Sequence, residues 1–332
     1  MKILMYGVQD HEKAIIQHWA DNHQAEITTT SDFLSEQTVT AVEGFDGICI
    51  QQPVVLGGPH LYAQLKSYGI KQIATRTAGY DMIDLNEAKN NGLLVTNVPA
   101  YSPYAVAELA VTQAMQLVRH IPAFQKRIAN KDFRWSGLLS REIRSLTIGI
   151  IGTGRIGATA AELFKGLGAN VIGFDQFPND QLTNILNYRS SLEEVLREAD
   201  IVSLHTPLFN STRHLINKDT LKIMKNSAYL INIARGGLIN TADLIEALEH
   251  GEIAGAALDT FEDETVINKK LSGQPLGDPL LEKLITMDQV MLTPHVGFFT
   301  ETAIQNIVEG ALDSVADVLE TGTSQNLVQV HD

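Results

Sequence analysis

The chain has 332 residues, of which 44% are hydrophobic and 19% charged, and its formal net charge is −14. This length predicts one large or two medium-sized domains, because single hydrophobic cores stop growing at roughly 250–300 residues. The negative charge argues against non-specific binding to nucleic acid or to an anionic membrane, so we expect neither as a partner.

The chain contains one cysteine, Cys49, which excludes an intrachain disulfide and a metal–thiolate cluster. This usage fits a reducing cytoplasm. The opening residues, MKILMYGVQD, have too short an apolar core for a signal peptide. No apolar run approaches the roughly 18 residues of a membrane span. We therefore expect a cytoplasmic protein, and we predict no metal site.

Short strands rich in Val and Ile alternate with helical patterns, as is typical of parallel sheets built from βαβ units. In the first part of the chain the predicted strands are residues 2–7, 46–51, 71–77 and 93–98. Helical patterns at 60–69 and 84–92 each end at a glycine, a common helix stop. These elements predict a first α/β domain.

The next segment, residues 102–130, has a helical pattern without strands, and we predict one long helix with Ser102 as cap and Pro103 in its first turn. Six further predicted strands, separated by helices, match two mononucleotide-binding halves; they are residues 146–152, 170–175, 201–206, 229–234, 254–261 and 290–295. The last segment, 300–322, is one amphipathic helix without a following strand. We expect it to pack back on the first domain.

The motif GTGRIG, from Gly152 to Gly157, fits the pattern G-x-G-x-x-G between a predicted strand and a predicted helix. Gly152 permits the tight turn, and Gly154 lets the backbone approach a pyrophosphate. Gly157 lets the helix lie close to the strand. The motif alone is weak, but the flanking strand and helix supply the structural context that it needs.

An acid, Asp175, ends the next predicted strand, 18 residues after Gly157. A carboxylate at this distance accepts hydrogen bonds from the adenosine ribose hydroxyls and repels a 2′-phosphate. The following residues, Gln176 and Phe177, supply no cation. We therefore predict NAD rather than NADP as the cofactor.

These observations together predict an α/β protein with two parallel-sheet domains. A Rossmann NAD domain, residues 101–298, is inserted in a first domain formed by residues 1–100 and 299–332. A cleft between two such domains is a common place for a small ligand.

Three polar residues at the ends of predicted strands suit a hydride-transfer reaction: Arg235, Glu264 and His295. An arginine can grip a carboxylate, and a histidine can deliver a proton near neutral pH. A glutamate can orient the imidazole and favour its protonated form. A second histidine, His205 in SLHTP, also ends a strand, and spacing alone does not choose between the two histidines.

The ordered motifs GTGRIG, LHTP, INIARGGLINTADLIEAL, LDTFEDE and LTPHVGFFTETA resemble those of the D-isomer-specific 2-hydroxyacid dehydrogenases. The segment RTAGYDMIDLNEAKNNGLLVTNVPAYSP is similar to part of their substrate domain. KDFRWSGLLSREIRSLTIGIIGTGRIG resembles the branch of the D-lactate and D-2-hydroxyisocaproate dehydrogenases. The resemblance runs over nearly the whole chain. It implies two doubly wound parallel-sheet domains, with the Rossmann NAD domain inserted in a flavodoxin-like substrate domain. It also implies NADH-dependent, reversible reduction of 2-oxo acids to D-2-hydroxy acids by a homodimer.

The resemblance also implies roles for single residues. Arg235 matches the arginine that binds the substrate carboxylate, His295 the acid/base histidine, and Glu264 its carboxylate partner. The implied substrate contacts are Tyr101 and the backbone of Thr77, Ala78 and Gly79. The implied cofactor contacts, in addition to the three motif glycines, are Arg155, Ile156, Asp175, His205, Thr206, Pro207, Thr212, Ile233, Ala234 and Asp259.

Two departures from the family pattern bear on the substrate. Ile50 stands where the lactate enzymes tend to carry a tyrosine before a Gln-Gln pair, and Phe298 and Phe299 stand where an aromatic pair often includes a tyrosine. We assign Ile50 and Phe299 to the substrate pocket and expect a wider, more apolar one. A lactate-type enzyme that also accepts larger 2-oxo acids and a hydroxyisocaproate-type enzyme both remain open.

Two rival functions are weaker. Formate dehydrogenases resemble this fold but carry Gln at the position of Glu264, which argues against formate oxidation. An NAD-sensing binding module, like the corepressors related to these enzymes, can retain the catalytic residues. Turnover of simple 2-oxo acids separates an enzyme from such a module.

Overall fold

The computed structural model describes residues 1–262, 264 and 275–328. By its internal contacts the chain divides into two compact units. One, here called the terminal unit, comprises Met1–Ser102 and Phe299–Asp332, and the other, the central unit, comprises Pro103–Phe298. Among the described residues, no helix is both long and apolar enough to cross a membrane.

The strands in chain order are β1 Lys2–Met5, β2 Glu26–Thr29, β3 Gly47–Ile50, β4 Gln72–Thr75, β5 Leu94–Thr96, β6 Thr147–Ile151, β7 Asn170–Phe174, β8 Asn187–Tyr188, β9 Ile201–Leu204, β10 Tyr229–Asn232, β11 Gly255–Leu258 and β12 Val290–Leu292. The α-helices of the described residues are α1 Lys13–His23, α2 Pro59–Ser67, α3 Leu85–Asn90, α4 Pro103–Val118, α5 Ile121–Ala129, α6 Arg155–Gly166, α7 Leu192–Glu198, α8 Lys218–Ile223, α9 Thr241–Glu249, α10 Pro279–Thr286 and α11 Glu301–Thr321.

The terminal unit contains a five-stranded parallel sheet in the order β2-β1-β3-β4-β5, which is the flavodoxin order. Every residue of β3 and β4 is buried, as expected for parallel strands covered on both faces. The sequence analysis missed β2. Its residues, EITT, are mostly exposed at the sheet edge, so they carry no apolar signal.

The C-terminal helix α11 packs against β3, β4 and α1 of the terminal unit, as the sequence predicts. Gly47 permits this packing, because a Cβ at that position would lie 2.6 Å from Val315 of the helix. The chain therefore leaves the flavodoxin-like sheet after β5 and returns to it only at its end.

The central unit contains a seven-stranded parallel sheet in the order β12-β11-β10-β9-β6-β7-β8. This is the Rossmann order with one further strand, β12, at an edge. The order reverses between β6 and β9, and that reversal is where such sheets bind dinucleotides. The missed strand β8 has only two residues, too few for a recognisable pattern.

The prediction of one long helix over residues 102–130 is wrong, because α4 and α5 are separate helices. His120 interrupts them with a left-handed backbone, at φ +54°. Pro122 lies in the first turn of α5, where its missing N–H costs nothing, whereas the same residue inside a continuous helix would break it.

Candidate active site

The turn between β6 and α6 is closely packed at two of its glycines and open at the third. Gly152 has φ +89°, and a Cβ on it would lie 2.8 Å from the carbonyl carbon of His205. A Cβ on Gly157 would lie 1.9 Å from the carbonyl oxygen of Gly152. A Cβ on Gly154 would meet no atom within 4 Å, so this side of the turn is open at the N-terminus of α6, beside Arg155. These residues fit the pyrophosphate of NAD.

The carboxylate of Asp175 is fixed at the end of β7. Its Oδ2 accepts hydrogen bonds from the backbone nitrogen of Thr153 at 2.6 Å and from the Thr153 hydroxyl at 3.1 Å, and its Oδ1 accepts one from Phe177 at 2.8 Å. The Thr153 hydroxyl is also 2.7 Å from that of Tyr188. Asp175 is predicted from the sequence, but Thr153 and Tyr188 are not. The motif accepts any residue between its first two glycines, where Thr153 stands, and the two residues of β8 show no strand pattern.

The environment of His205 distinguishes it from His295. Its Nε2 is 2.9 Å from the hydroxyl of Ser203, and its buried Nδ1 has no hydrogen-bond partner among the described residues. Burial lowers the pKa of His205 to about 3. His205 is therefore neutral near pH 7 and unsuited to donating a proton, whereas its Nδ1 is a polar atom that a bound cofactor could satisfy.

The remaining predicted cofactor residues follow the carboxyl ends of strands or begin a helix of the central unit. The Thr212 hydroxyl donates to the carbonyl of Pro207 at 2.8 Å and shapes the loop after β9. The Asn232 side chain accepts from the nitrogen of Ala234 at 3.1 Å and donates to the carbonyl of Arg235 at 3.0 Å, which shapes the loop after β10. These loops hold Thr206, Pro207, Ile233 and Ala234, and the first turn of α6 holds Arg155 and Ile156.

Arg235 lies in the loop that follows β10. Its Nη1 donates to the carbonyl of Ala234 at 2.9 Å, and the residue is partly exposed. Its charge acts on His295, whose pKa it lowers. Arg235 therefore lies within electrostatic reach of the histidine, as a carboxylate-binding arginine beside an acid/base group must.

His295 and Glu264 form a direct pair, with His295 Nδ1 2.8 Å from Glu264 Oε2. The two side chains are 40% and 25% exposed. Burial alone would lower the pKa of His295, but the hydrogen bond and charge of Glu264 and the charge of Asp259 outweigh burial and Arg235, so its pKa lies above the ordinary value. His295 has φ +55°, a backbone conformation uncommon outside glycine, which marks a position held by its surroundings.

Asp259 holds the loop that carries His295. Its carboxylate, 1% exposed, accepts hydrogen bonds from the Thr293 hydroxyl at 2.5 Å, from Val296 N at 2.9 Å and from Gly297 N at 2.8 Å. Gln113 of α4 donates to the same Thr293 hydroxyl at 2.9 Å. A contact of Asp259 with the cofactor stays a prediction. Its anchoring of His295 was not foreseen, since nothing in the sequence links residues so far apart.

The predicted substrate residues lie in the terminal unit. The loop after β4 is held by hydrogen bonds from Asn97 to the carbonyl of Ala78 at 2.6 Å and from the Thr77 hydroxyl to the carbonyl of Gly79 at 2.5 Å. The carbonyl of Tyr101 accepts from Asn306 at 2.6 Å. The ring of Phe299 packs edge-on against His11, with centroids 4.9 Å apart.

Ile50, which the sequence assigns to the substrate pocket, is the last residue of β3. It is 0% exposed and packs in the apolar core of the terminal unit with Leu4, Tyr6 and Ile73. Because β3 ends here at the carboxyl edge of its sheet, the edge at which doubly wound sheets bind their ligands, the place of Ile50 in the substrate pocket stays a prediction.

The sequence profile described as "D-isomer specific 2-hydroxyacid dehydrogenase, NAD binding domain" matches residues 111–297. A "D-2-hydroxyacid dehydrogenase (NAD(+))" of Clostridioides difficile is 54% identical over 331 residues, 99% of this chain and 100% of the relative. The solved structure of a D-lactate dehydrogenase from Sporolactobacillus sp. is 48% identical, with TM-score 0.88 and full coverage of both chains. That of a D-2-hydroxyisocaproate dehydrogenase is 35% identical, with TM-score 0.92 and 99% coverage of each.

The nucleotide turn, the fixed acid at the end of β7 and the histidine–glutamate pair therefore coincide with a family match over more than half of the chain. NAD is the cofactor that the matched domain binds. The chain belongs to the D-isomer specific 2-hydroxyacid dehydrogenases and is an NAD-dependent oxidoreductase of that family.

Proposed function

We propose that this enzyme catalyses the reversible, NADH-dependent reduction of 2-oxo acids to D-2-hydroxy acids. Pyruvate and D-lactate are the proposed principal pair, and larger 2-oxo acids are also accepted. The observation that carries the proposal is the His295–Glu264 pair in the NAD-binding unit, with Arg235 in electrostatic reach.

Arg235 binds the substrate carboxylate and polarises the carbonyl. A guanidinium is always charged and matches a carboxylate with two parallel hydrogen bonds. Its position after β10 puts it at the carboxyl edge of the sheet, the edge at which doubly wound sheets bind their ligands. The negative net charge of the chain makes such a local cation necessary for an anionic substrate.

His295 supplies the proton. When bound, NADH provides the hydride that reduces the carbonyl carbon. Glu264 engages Nδ1 of His295, so Nε2 is the nitrogen that faces the substrate and donates its proton to the carbonyl oxygen. In the oxidation direction the neutral imidazole takes the hydroxyl proton back. Glu264 favours the charged form by its hydrogen bond and its charge, which suits an acid that works near neutral pH.

We assign cofactor binding to the central unit as a whole. The glycine turn receives the pyrophosphate, Asp175 the ribose hydroxyls, and the loops after β9 and β10 the rest of the dinucleotide. His205 offers its buried Nδ1 to the cofactor, because it is neutral. We assign substrate binding to the terminal unit, through the backbone of residues 77–79, Tyr101 and Phe299.

Ile50 and Phe299 are the two residues proposed for the wall of the substrate pocket, and of the two only Phe299 is exposed to solvent. Phe299 is 52% exposed and brings an apolar ring without a hydroxyl. An apolar wall discriminates between side chains modestly, at roughly 1–3 kcal/mol per methylene. We therefore favour the lactate-type enzyme with broad tolerance over a strict hydroxyisocaproate-type enzyme.

We also propose that the enzyme is a homodimer in the cytoplasm. One stretch of the central unit, residues 121–139, exposes several large apolar side chains. Helix α5 buries none of its residues, and Phe133, Trp135 and Leu139 are 76%, 80% and 94% exposed. An apolar surface of this kind is typical of a protein–protein interface. Sedimentation of the wild type and of Trp135→Ser tests it, with a loss of dimer expected in the variant.

The test of the function is the rate of NADH oxidation, as kcat/KM, with pyruvate, 4-methyl-2-oxopentanoate and phenylpyruvate side by side. Preference for pyruvate with measurable turnover of the others supports the proposal. Preference for the two larger acids replaces it with the hydroxyisocaproate-type enzyme. Chiral analysis of the product must give the D-isomer, and bound NADH without turnover would make the chain a binding module.

A further inference from the structure

A second glutamate, Glu262, lies two residues before Glu264, and its carboxylate is held from two sides. Its Oε1 is 2.5 Å from Nε2 of His214. Its Oε2 accepts hydrogen bonds from the backbone nitrogen of Thr241 at 3.2 Å and from the Thr241 hydroxyl at 2.9 Å. The side chain is 32% exposed, so these three bonds fix a carboxylate that is not confined by burial.

The donors belong to chain segments joined to the loop of Arg235. Thr241 begins α9, and the residues between Arg235 and Thr241 form one short connection. The segment of His214 is bonded to that connection, because the backbone nitrogen of His214 donates to the carbonyl of Gly237 at 2.9 Å and Ile216 forms a parallel bridge with Ile239. Glu262 is therefore bonded to the end of the connection that follows Arg235, at Thr241, and to the segment paired with that connection, at His214.

Direct backbone packing joins the same two loops. A Cβ on Gly236 would lie 1.8 Å from the carbonyl carbon and oxygen of Phe261 and 2.4 Å from the nitrogen of Glu262. The backbone nitrogen of Phe261 donates to Oε1 of Glu264 at 3.3 Å, while Oε2 of Glu264 engages His295. A displacement of residues 261–262 is thus transmitted to the carboxylate that holds the imidazole.

We propose that Glu262 is a positioning residue for the His295–Glu264 pair. Its carboxylate, held by His214 and Thr241, fixes the loop that carries Glu264 against the loop that carries Arg235. The inference rests on the proposed function, in which these residues bind and protonate the substrate. It assigns Glu262 and His214 no contact with substrate or cofactor.

The charges around the two carboxylates differ. Burial would raise the pKa of Glu262. The hydrogen bonds from His214 and Thr241 and the charge of His214 outweigh burial and lower this pKa, so Glu262 is ionised near neutral pH. The groups that set the pKa of His295 are Glu264, Asp259 and Arg235. Glu262 is not among them, so the proposed effect of Glu262 on the pKa of His295 acts through the positions of these groups, Glu264 first.

The experiment compares Glu262→Ala with the wild type and with Glu246→Ala, a matched control at an exposed glutamate of α9 paired with Lys218. We expect Glu262→Ala to lower kcat by about tenfold, within the roughly hundredfold cost that a displacement of about 1 Å can carry. The pH at which the reduction rate falls should move down, because a misplaced Glu264 no longer raises the pKa of His295. The Kd for NADH should not change.

Two further variants separate positioning from mere stability. His214→Ala should reproduce the effect, and the double variant should lose little more, because residues that act as one unit are not additive. In a Glu264→Gln background, Glu262→Ala should leave the pH profile where Glu264→Gln alone puts it. If Glu262→Ala does not fold, Glu262→Gln, which keeps the size and removes the charge, carries the test with a smaller shift in the same direction.

The outcomes distinguish the two proposals. A wild type without turnover of any 2-oxo acid overturns the proposed function and this inference with it. An active wild type whose Glu262 variants melt earlier but keep the kcat and pH profile of Glu246→Ala overturns the positioning role alone. The same holds if kcat falls with an unmoved pH profile and a raised Kd for NADH, since Glu262 would then act on the cofactor site.

Discussion

Two carboxylates of this chain each pair with a cation beside a strand end, one in each unit, and their surroundings differ. Glu12 and Arg76 are 1% and 0% exposed, with Glu12 Oε1 2.9 Å from Arg76 Nε. Arg76 also donates to the carbonyl of Tyr6 at 3.1 Å. Glu264 and His295 are 25% and 40% exposed.

The chemical types of the two cations explain the difference. A guanidinium keeps its charge at all accessible pH values, so a buried carboxylate beside it forms a fixed link between β1, β4 and the start of α1. An imidazole titrates near neutral pH and can exchange its proton with a ligand only where one side is open. The buried pair is therefore suited to structure, and the half-exposed pair to chemistry.

The comparison is tested most strongly by His295→Gln. We expect kcat for reduction to fall by about 10²–10⁴-fold, the usual contribution of general acid catalysis. The Kd for NADH should stay unchanged. The free energy of unfolding should change by less than about 1 kcal/mol, because the pair is partly exposed. Stopped-flow turnover measures kcat, fluorescence titration measures the Kd for NADH, and urea unfolding measures the free energy of unfolding. The control is His250→Gln, a substitution at an exposed histidine. If His295→Gln keeps its turnover at saturation and loses NADH binding, His295 is not the acid/base group.

The buried pair should show the opposite behaviour. Glu12→Gln leaves the charge of Arg76 buried without its counter-ion, which typically costs about 3–5 kcal/mol of unfolding free energy. The kcat of the folded enzyme should change far less than in His295→Gln. Asp10→Asn is the matched control, because Asp10 pairs with Lys13 at 2.7 Å while 95% exposed, and it should lie within about 0.5 kcal/mol of the wild type. Equal urea midpoints for the two variants would refute the structural assignment.

Removing the partner of His295 should change the pH dependence. Glu264 raises the pKa of His295, and reduction needs the protonated form, so the reduction rate is full below this pKa and falls as pH rises through it. In Glu264→Gln burial and Arg235 still lower the pKa of His295 while the contribution of Glu264 is lost, so the falling limb should move to lower pH. The rising limb of oxidation should move with it. If the falling limb of reduction stays at the same pH in Glu264→Gln, Glu264 has no part in the proton transfer.

A smaller effect is expected at the cofactor. Asp175→Ala removes the carboxylate that Thr153 and Phe177 hold in place, and we expect kcat/KM for NADH to fall by about tenfold or more, since hydrogen bonds to charged groups contribute roughly 1.5–3 kcal/mol. The kcat/KM for NADPH should fall less, so the preference of the enzyme for NADH over NADPH should become smaller. Asp180→Asn, an exposed charge in the same loop, is the control. An equal effect in both variants would assign the change to general electrostatics.

Much of the fold could be predicted from the chain itself, because buried parallel strands such as β3, with the sequence GICI, are continuous apolar runs. Edge strands carry no such run, so EITT of β2 and the two residues of β8 were missed. The break between α4 and α5 was missed because one left-handed residue, His120, interrupts an otherwise continuous helical pattern. Local patterns specify what is buried, and they say little about edges and interruptions.

The candidate site divides in the same way. Gly152, Asp175 and Arg235 follow from spacing, because strand ends of a parallel sheet share one edge. The residues that anchor the loops of the site cannot be predicted from spacing. Asp259 meets the loop of His295, and Glu262 meets His214, only in the folded structure. The segment DTFEDE, residues 259–264, contains four acids, and spacing cannot say which of them pairs with the histidine and which anchors a loop.

The finest distinction concerns Ile50, which the sequence assigns to the substrate pocket and the structure buries. Because its side chain lies in the core, Ile50→Val should cost about 0.5–1.5 kcal/mol of unfolding free energy and leave the kcat/KM ratio of 4-methyl-2-oxopentanoate to pyruvate unchanged. Phe299→Leu should do the reverse, since Phe299 is half-exposed and its proposed place is in the substrate pocket. A ratio that moves in Ile50→Val, with stability intact, would return this residue to the pocket wall and make the β3 strand end part of substrate selection.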